Sequence, residues 1–288
     1  MANIKDEFKP LSYNEVYDIL QNLAASKEIA GKFIVGGGTV PYLLTNTDSN
    51  REHGDIDIMV KLQDMSAIRR YLKKNNLYDK RYDSLFYETG NVDHGVIANI
   101  NGLSVEFDPY QEVIDKTTGQ KSIVANTFTF NKDNNELNLK YNYIKGLTEE
   151  DAFVETQLNN GAILKTFAPE MIAVMKASID KSYIREKDKA DLIALKGCNL
   201  NLNKLTKIYN SFHDKGTSRS VVSNNVDNFT LQEIIDFYTP KIEPVSKEEI
   251  EDCYDNNPDI KPDNSIEIVK ETPDKSQSMQ HENTNENA

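Results

Sequence analysis

Two stretches of sequence decide the fold of this chain: residues 36–39, Gly-Gly-Gly-Thr, and residues 51–58, Arg-Glu-His-Gly-Asp-Ile-Asp-Ile. The largely apolar run at 32–35 stops at the glycines, which predicts a buried strand that enters a tight turn. Thr39 suits the N-cap of a following helix, and Pro41 suits its first turn. Free N–H groups at such a turn are natural partners for phosphate oxygens. The predicted phosphate-binding residues are therefore Gly36, Gly37, Gly38 and Thr39.

The segment 55–60, Asp-Ile-Asp-Ile-Met-Val, alternates polar and apolar residues before it becomes wholly apolar. This pattern predicts a strand that carries functional groups at one end and enters the core at the other. A period of two residues places Asp55 and Asp57 on one face, where their charges repel each other unless a proton or a cation intervenes. Mg²⁺, or Mn²⁺ in its place, binds carboxylates together with substrate phosphates. A nucleotide with bound metal would satisfy both stretches.

Each stretch has a simpler interpretation when it is taken alone. A glycine triplet is usually only a turn, and an Asp-x-Asp pair lies more often on a solvated strand edge than at a metal. Arg51 would either steady a polyphosphate or remain an exposed loop charge. A lone histidine such as His53 is more often structural than catalytic. The joint pattern is far rarer than its parts.

A predicted hairpin supplies a third acidic side chain. Two runs, 96–100 and 103–108, flank Asn101-Gly102, the dipeptide that favours a two-residue hairpin turn. In the second run, Glu106 and Asp108 share one face of the strand. One of them would join the two aspartates, whereas the simpler alternative is a solvated hairpin face.

The glycine turn, a short helical segment and the pattern Arg51-x-His53-x-Asp55-Ile56-Asp57 resemble the motif of the DNA polymerase beta-type nucleotidyltransferase superfamily, particularly its aminoglycoside and lincosamide nucleotidyltransferases. The resemblance covers residues 32–110 well. It implies that Asp55 and Asp57 ligate Mg²⁺ on a nucleoside triphosphate. It also implies that a third acid ligates metal or acts as general base on an acceptor hydroxyl. The motif favours Glu106 as this third ligand, with Asp108 as a competing catalytic carboxylate.

A second charged region begins at Pro169. Helical spacing over 169–179 gives an apolar stripe with Lys176 on its border, and a second helix is predicted over 185–195. The pair loosely resembles the region after the catalytic domain in abortive-infection toxin and resistance-type nucleotidyltransferases. The resemblance implies nucleotide-binding roles for three basic residues, Lys176, Arg185 and Lys187. Asp188 and Asp191 would orient them through ion pairs, unless the region is a charged outer face with pairs such as Lys187–Asp191.

The chain of 288 residues has a formal net charge of -13. Residues 247–288 contain twelve Asp and Glu but four Lys, so this tail explains most of the acidity. Its composition predicts disorder and offers an acidic surface to a protein partner. The nearly balanced remainder does not predict a broad basic surface for nucleic acid. The basic stretch 69–74, Arg-Arg-Tyr-Leu-Lys-Lys, is interpreted as the solvated face of a helix capped by Asp64.

No apolar run approaches the roughly 20 residues that a membrane span needs, and the N-terminus has no apolar signal-peptide core. We therefore expect a cytoplasmic protein without membrane contact. Cys198 and Cys253 lie far apart, and no Cys/His cluster indicates a zinc site.

The pattern Ser12-x-x-Glu15 predicts a capping box and an opening amphipathic helix. The order helix, strand, glycine turn, helix, strand, helix, hairpin then indicates an α+β fold, with a mixed sheet and helices packed on one face. We divide the chain into a nucleotidyltransferase catalytic domain at 1–150, a small helical C-terminal domain at 151–246 and the acidic tail at 247–288.

The predicted activity is Mg²⁺-dependent transfer of a nucleoside monophosphate from a nucleoside triphosphate to a hydroxyl, with pyrophosphate leaving. The acceptor stays open between a small molecule such as an antibiotic and tRNA or protein in a toxin-like role. A noncatalytic nucleotide-binding or interaction protein with the same fold is the alternative class. Three retained acids argue against it, because a cluster of like charges is costly to keep.

Overall fold

A mixed sheet positions the acids in the computed structural model of the chain, which describes residues 8–87, 92–131, 136–218 and 227–239. The strands are β1 (Leu11–Ser12), β2 (Phe33–Val35), β3 (Glu52–His53), β4 (Asp55–Lys61), β5 (Val96–Ile100), β6 (Leu103–Ile114), β7 (Lys121–Asn131), β8 (Glu136–Lys145), β9 (Phe153–Gln157) and β10 (Ile163–Phe167). Among the described residues, eight of these strands form one sheet in the order β8-β7-β6-β4-β2-β10-β9, with β5 paired to β6. The β4/β6 and β2/β10 pairs are parallel, and the other pairs are antiparallel. The predicted α+β fold with a mixed sheet is confirmed.

The described part of the chain also contains eight α-helices. They are α1 (Tyr13–Ala25), α2 (Val40–Thr45), α3 (Met65–Lys74), α4 (Glu149–Ala152), α5 (Pro169–Ala177), α6 (Glu186–Ala194), α7 (Leu202–His213) and α8 (Leu231–Tyr238). None of the helices in the described ranges combines the length and apolar character that a membrane crossing needs.

The elements with strong local sequence signals form as predicted. Ser12 and Glu15 close a reciprocal capping box at the start of α1, whose buried side is apolar. At the hairpin between β5 and β6, Asn101 and Gly102 have φ of 58° and 92°. Positive φ at both centres is what the two-residue turn requires, and Asn and Gly adopt it at the least energetic cost.

The chain after residue 150 first returns to the sheet and then becomes helical. β9 and β10 form a hairpin, and β10 lies parallel to β2 with Thr166 paired to Val35. Helix α5 then packs against α6, α7 and α8. All described residues belong to one compact unit, Met1–Pro240. The domain boundaries stay a prediction, and the acidic tail lies outside the described residues.

The predicted solvated face of α3 is only partly correct. Arg70, Lys73 and Lys74 are exposed, but Arg69 is buried. Its guanidinium makes paired hydrogen bonds of 2.6–2.8 Å to the carboxylates of Asp83 and Asp93. Burial of a guanidinium is tolerated because these carboxylates satisfy its charge and donors. Asp64 is the N-cap residue of α3, as predicted, but its side chain makes no capping hydrogen bond.

Candidate active site

The glycine turn lies directly against the first acidic strand. Gly36 N donates to the carbonyl oxygen of Asp57 at 2.8 Å, and Gly37 follows with φ of +70°. A Cβ on Gly37 would lie 2.0 Å from Asp57 Oδ2. A Cβ on Gly38 would lie 2.7 Å from Arg51 Nη2. An aspartate and an arginine therefore lie closely against these glycines, which the local sequence does not reveal.

The segment after the glycines differs from the expected capped helix. Gly37–Thr39 form a 3-10 turn, and α2 contains only six residues. Pro41 lies in its first turn as predicted, but Thr39 makes no capping hydrogen bond. In the described part of the chain, the buried Thr39 hydroxyl has no hydrogen-bond partner. Thr39 is thus the N-cap residue of α2, as predicted, but without a side-chain capping bond, and a phosphate role for the turn would depend on its glycine backbone and this hydroxyl.

The two predicted metal-binding aspartates lie on β4, where the alternation holds as expected. Asp55 and Asp57 are exposed, whereas Ile56 and Ile58 are buried in the core. Across the parallel β4/β6 ladder, Asp57 is directly opposite Glu106. Paired residues on adjacent strands project from the same face of a sheet. The fold thus brings a hairpin acid beside the Asp-x-Asp pair, as the sequence predicts.

Asp57 and Asp108 have raised pKa values, because both are desolvated and lie near other carboxylates. Asp57 is an exposed residue of β4. The surrounding protein nevertheless desolvates its carboxylate and Asp55 repels it, and these two effects raise its pKa to about 6. Asp108 is buried, and burial followed by repulsion from Glu106 and Asp57 raises its pKa well above the ordinary value. Both groups hold protons more tightly than ordinary aspartates do, because burial and repulsion from neighbouring carboxylates outweigh the attraction of nearby lysines.

The donor chemistry fits a hard divalent cation, because the residues at this place are carboxylates on two adjacent strands. Their arrangement is not yet that of a coordination shell. Within the described ranges, no three His, Cys, Asp or Glu side chains converge closely enough to hold a metal ion. Strand register sets the backbones of Asp57 and Glu106 side by side.

A network of ion pairs joins the glycine turn to α5 and α6. Asp191 is fully buried and accepts a hydrogen bond from Arg51 Nη2 at 2.9 Å, while Lys176 Nζ lies 2.9 Å from its other oxygen. Arg51 also donates to the Gly38 carbonyl at 3.2 Å. The Tyr42 hydroxyl, which the sequence did not single out, donates to Asp191 at 3.2 Å. Arg51 and Lys176, two predicted nucleotide-binding residues, are therefore held by a buried aspartate beside the turn.

Asp188 completes this network. It receives hydrogen bonds from Lys176 at 2.5 Å and from Arg185 at 2.6 and 3.0 Å. Burial alone would raise the pKa of Asp188, but the hydrogen bonds from Arg185 and Lys176 outweigh burial and hold it far below its ordinary value. Lys187 is exposed and has no ion pair among the described residues. Its charge lowers the pKa of Asp57, which indicates that it lies near the acidic strand.

His53 is a structural residue of this site. Its Nε2 lies 2.9 Å from Ser49 Oγ, and its ring packs near Tyr13 and Tyr42. Burial, followed by repulsion from Arg51, lowers the pKa of His53 to about 4. A neutral imidazole at physiological pH does not contribute a positive charge to phosphate binding.

A cavity of about 340 Å³ opens beside the acids, and the sequence did not predict it. Gly37, Asp57, Glu106 and Asp108 border it, together with apolar residues from distant parts of the chain. Lys140 on β8 is a further lining residue, and its charge lowers the pKa of Asp108. Pairing of β6, β7 and β8 in the sheet brings this lysine to the acids.

Comparison with known proteins gives a limited result. No protein-family model and no curated protein matches the chain. The structure is similar to that of the lincosamide antibiotic adenylyltransferase LnuA with bound lincomycin, at 16% identity and a TM-score of 0.40, over 65% of this chain and 98% of that chain. It is also similar to the antibiotic-resistance factor ANT(2'')-Ia, at 13% identity and a TM-score of 0.43, over 70% of this chain and 92% of that chain. At these values the similarity does not assign the chain to a family.

Proposed function

We propose that this protein is a divalent-metal-dependent nucleotidyltransferase that moves a nucleoside monophosphate from a nucleoside triphosphate to an acceptor hydroxyl. One observation carries the proposal: the glycine turn is packed against Asp57, and Asp57 is paired across the sheet with Glu106. A close backbone turn suits phosphate, and adjacent carboxylates suit the cation that accompanies a triphosphate. The two requirements of the reaction meet at one place.

In this proposal, Asp55, Asp57 and Glu106 would hold the divalent cation, which supplies positive charge to the phosphate oxygens. The triphosphate would lie along Gly37 and Gly38. Catalysis then consists mainly of positioning and electrostatic stabilisation, as is general for phosphoryl transfer.

The basic residues divide into two kinds. The side chains of Arg185 and Lys187 are exposed at the start of α6, where they can meet the triphosphate. Arg51 and Lys176 instead act as positioning residues, because Asp191 already holds them and Arg51 binds the Gly38 carbonyl. They would keep the turn and α5 in fixed relation while nucleotide binds.

The chemical step forms a bond between the acceptor oxygen and the α-phosphorus, and breaks the bond from that phosphorus to the leaving pyrophosphate. The acceptor proton passes to a carboxylate on β6. Glu106 and Asp108 both line the cavity wall, so either carboxylate can accept this proton from the acceptor. The cavity would therefore position the acceptor oxygen in line with the bond to the leaving pyrophosphate.

Transfer of label tests the proposal. The protein is incubated with each labelled nucleoside triphosphate, Mg²⁺ or Mn²⁺, and pools of hydroxylated small molecules or tRNA. Asp57→Asn should lower transfer more than about 100-fold by removing a metal ligand. Asp18→Asn, which removes an exposed carboxylate on α1, is the matched control and should retain full activity.

Full activity of the Asp57→Asn variant would remove the metal assignment. If no pool accepts label and the protein does not bind nucleotide in the presence of metal, the proposed enzymatic activity is wrong. Metal-dependent nucleotide binding without transfer would favour the alternative of a noncatalytic nucleotide-binding protein.

A further inference from the structure

The cavity beside the acids has a mainly apolar wall built from elements that are far apart in sequence. β7 contributes Ile123 and Ala125, β8 contributes Ile144, α5 contributes Met171, and α7 contributes Phe212. These side chains are each less than a tenth exposed, yet they border open space. An apolar wall around a concave volume of this size matches the general character of small-molecule sites, which enclose about 300–1,000 Å³.

The charged residues that line the cavity are few. The carboxylates are Asp57, Glu106 and Asp108, from the adjacent strands β4 and β6. Lys140 is the one cation among the described lining residues. The acids are those that the proposed reaction uses for metal and proton transfer, so none is left over along the apolar wall to bind an ammonium group.

We propose that this cavity is the acceptor site and that it takes an uncharged small molecule with an apolar body and a hydroxyl group. The inference rests on the proposed nucleotidyl transfer for its chemistry. The apolar body would lie against β7, β8, α5 and α7, which would direct the hydroxyl toward Glu106 and Asp108. This arrangement brings the acceptor oxygen to the acids without placing charge on the apolar wall.

Charge and size disfavour the two other acceptor classes. A polycationic acceptor would leave ammonium groups against apolar side chains, where they lose hydration without gaining a partner. A nucleic acid would need a basic track for its phosphates, but Lys140 is the one cation among the described residues that line the cavity. The uncharged, partly apolar acceptor is the class that satisfies the wall and the acids together.

Binding is measured first without nucleotide, so that it does not depend on turnover. The chain has no tryptophan, and Met175 lies partly exposed on the cavity wall, so Met175→Trp provides a local fluorescence reporter. The probes are 4-phenylbutan-1-ol, which is uncharged and partly apolar, and spermine, which is polycationic. We expect a saturable blue shift with the alcohol and none with spermine. Ile193→Trp, an exposed site on α6 outside the cavity lining, should respond to neither.

A filling substitution then links binding to the cavity. In the Met175→Trp background, Ala125→Phe should weaken binding of 4-phenylbutan-1-ol at least tenfold, because the ring occupies the cavity. Ala25→Phe, on the exposed end of α1, should leave binding unchanged. Thermal melting shows whether the filled variant is folded. If it is not, the reporter titration with the two probes decides the question alone.

A stronger response to spermine than to the alcohol would overturn the inference, as would unchanged binding in a folded Ala125→Phe variant. Saturable binding of the alcohol that Ala125→Phe removes would support it. These outcomes do not depend on label transfer. Transfer that fails while cavity binding holds would count against the proposed enzymatic activity and not against the site.

Discussion

The candidate site contains two pairs of aspartates, one on α6 and one on the sheet, and the two pairs differ in how neighbouring groups balance their negative charge. Asp188 and Asp191 on α6 are fully buried, and arginine and lysine side chains hold them at 2.5–3.0 Å. Burial, followed by repulsion from neighbouring carboxylates, raises the pKa values of Asp57 and Asp108 on the sheet. The pKa of Asp188 is shifted in the opposite direction, because its hydrogen bonds favour the charged form.

The difference separates acids that have cationic partners from acids that have carboxylate neighbours. A buried carboxylate with two cationic partners is satisfied and serves to hold those partners in place. Carboxylates that repel each other gain from binding a cation from solution. The contrast explains why Arg51 and Lys176, although basic and close to the glycine turn, act through position in our proposal. In the same proposal, the sheet acids bind the metal.

Removal of a balanced acid should have the largest effect on stability. Asp191→Asn leaves the positive charges of Arg51 and Lys176 without their buried partner, so we expect a loss of about 3 kcal/mol in the free energy of unfolding. Urea denaturation measures this loss. Asp214→Asn is the control, because its ion pair with Lys145 has both side chains 38% exposed and should contribute less than about 1 kcal/mol. Equal losses in the two variants would remove the distinction between buried and surface pairs.

The contact between the glycine turn and Asp57 is expected to have the next largest effect. Gly37→Ala places a methyl group where Asp57 Oδ2 now lies and also strains a φ of +70°. Gly31→Ala is a close control, since its φ is +74° and nothing lies within 4 Å of the added Cβ. Both variants should pay the backbone strain of about 1–2 kcal/mol. Gly37→Ala alone should lose a further ~1–3 kcal/mol from overpacking. Identical unfolding curves for the two variants would show that the Asp57 side chain moves away from the added methyl group without a loss of stability.

Removal of an unbalanced acid should stabilise the protein slightly. The folded state holds the Asp57 proton up to about pH 6, whereas the ordinary aspartate pKa is 3.8. Ionisation therefore weakens the folded state as pH rises through this window, and the destabilisation is fully present at pH 7. We expect Asp57→Asn to raise Tm by about 1–2 °C at pH 7, a small value because the group is exposed, and to have no effect at pH 4.

Mg²⁺ provides the matching control for this prediction. Added Mg²⁺ should raise the Tm of the unmodified protein at pH 7 and leave that of Asp57→Asn unchanged, because metal replaces the proton as the partner of the carboxylates. A lower Tm for Asp57→Asn at pH 7 than for the unmodified protein would contradict the view that Asp57 is unbalanced.

The acidic tail should have the smallest effect. Deletion of residues 256–288 removes seven Asp and Glu and three Lys, and it leaves both groups of aspartates in the sequence. We expect label transfer and Tm to stay unchanged, because local pairing and not total charge sets the behaviour of the site. A large loss of turnover in the shortened chain would assign the tail a role in the reaction.

Local signals in the sequence predicted much of the fold and the acidic half of the site. The alternation in β4, the Asn101-Gly102 turn and the Ser12–Glu15 capping box each depend on neighbours within a few residues. Other features depend on partners that only the fold supplies. Arg69 looked like a surface charge because Asp83 and Asp93, which bury it, belong to a later segment.

The sequence by itself determined the strand faces, the hairpin and the glycine turn, because backbone geometry and a period of two residues are local properties. The tertiary structure alone decided which charges are balanced and where open space lies. Arg51 meets Asp191 across 140 positions of sequence, and the cavity wall combines β7, β8, α5 and α7. Charge balance and enclosed volume depend on distances in space, so they arise only when these elements pack together.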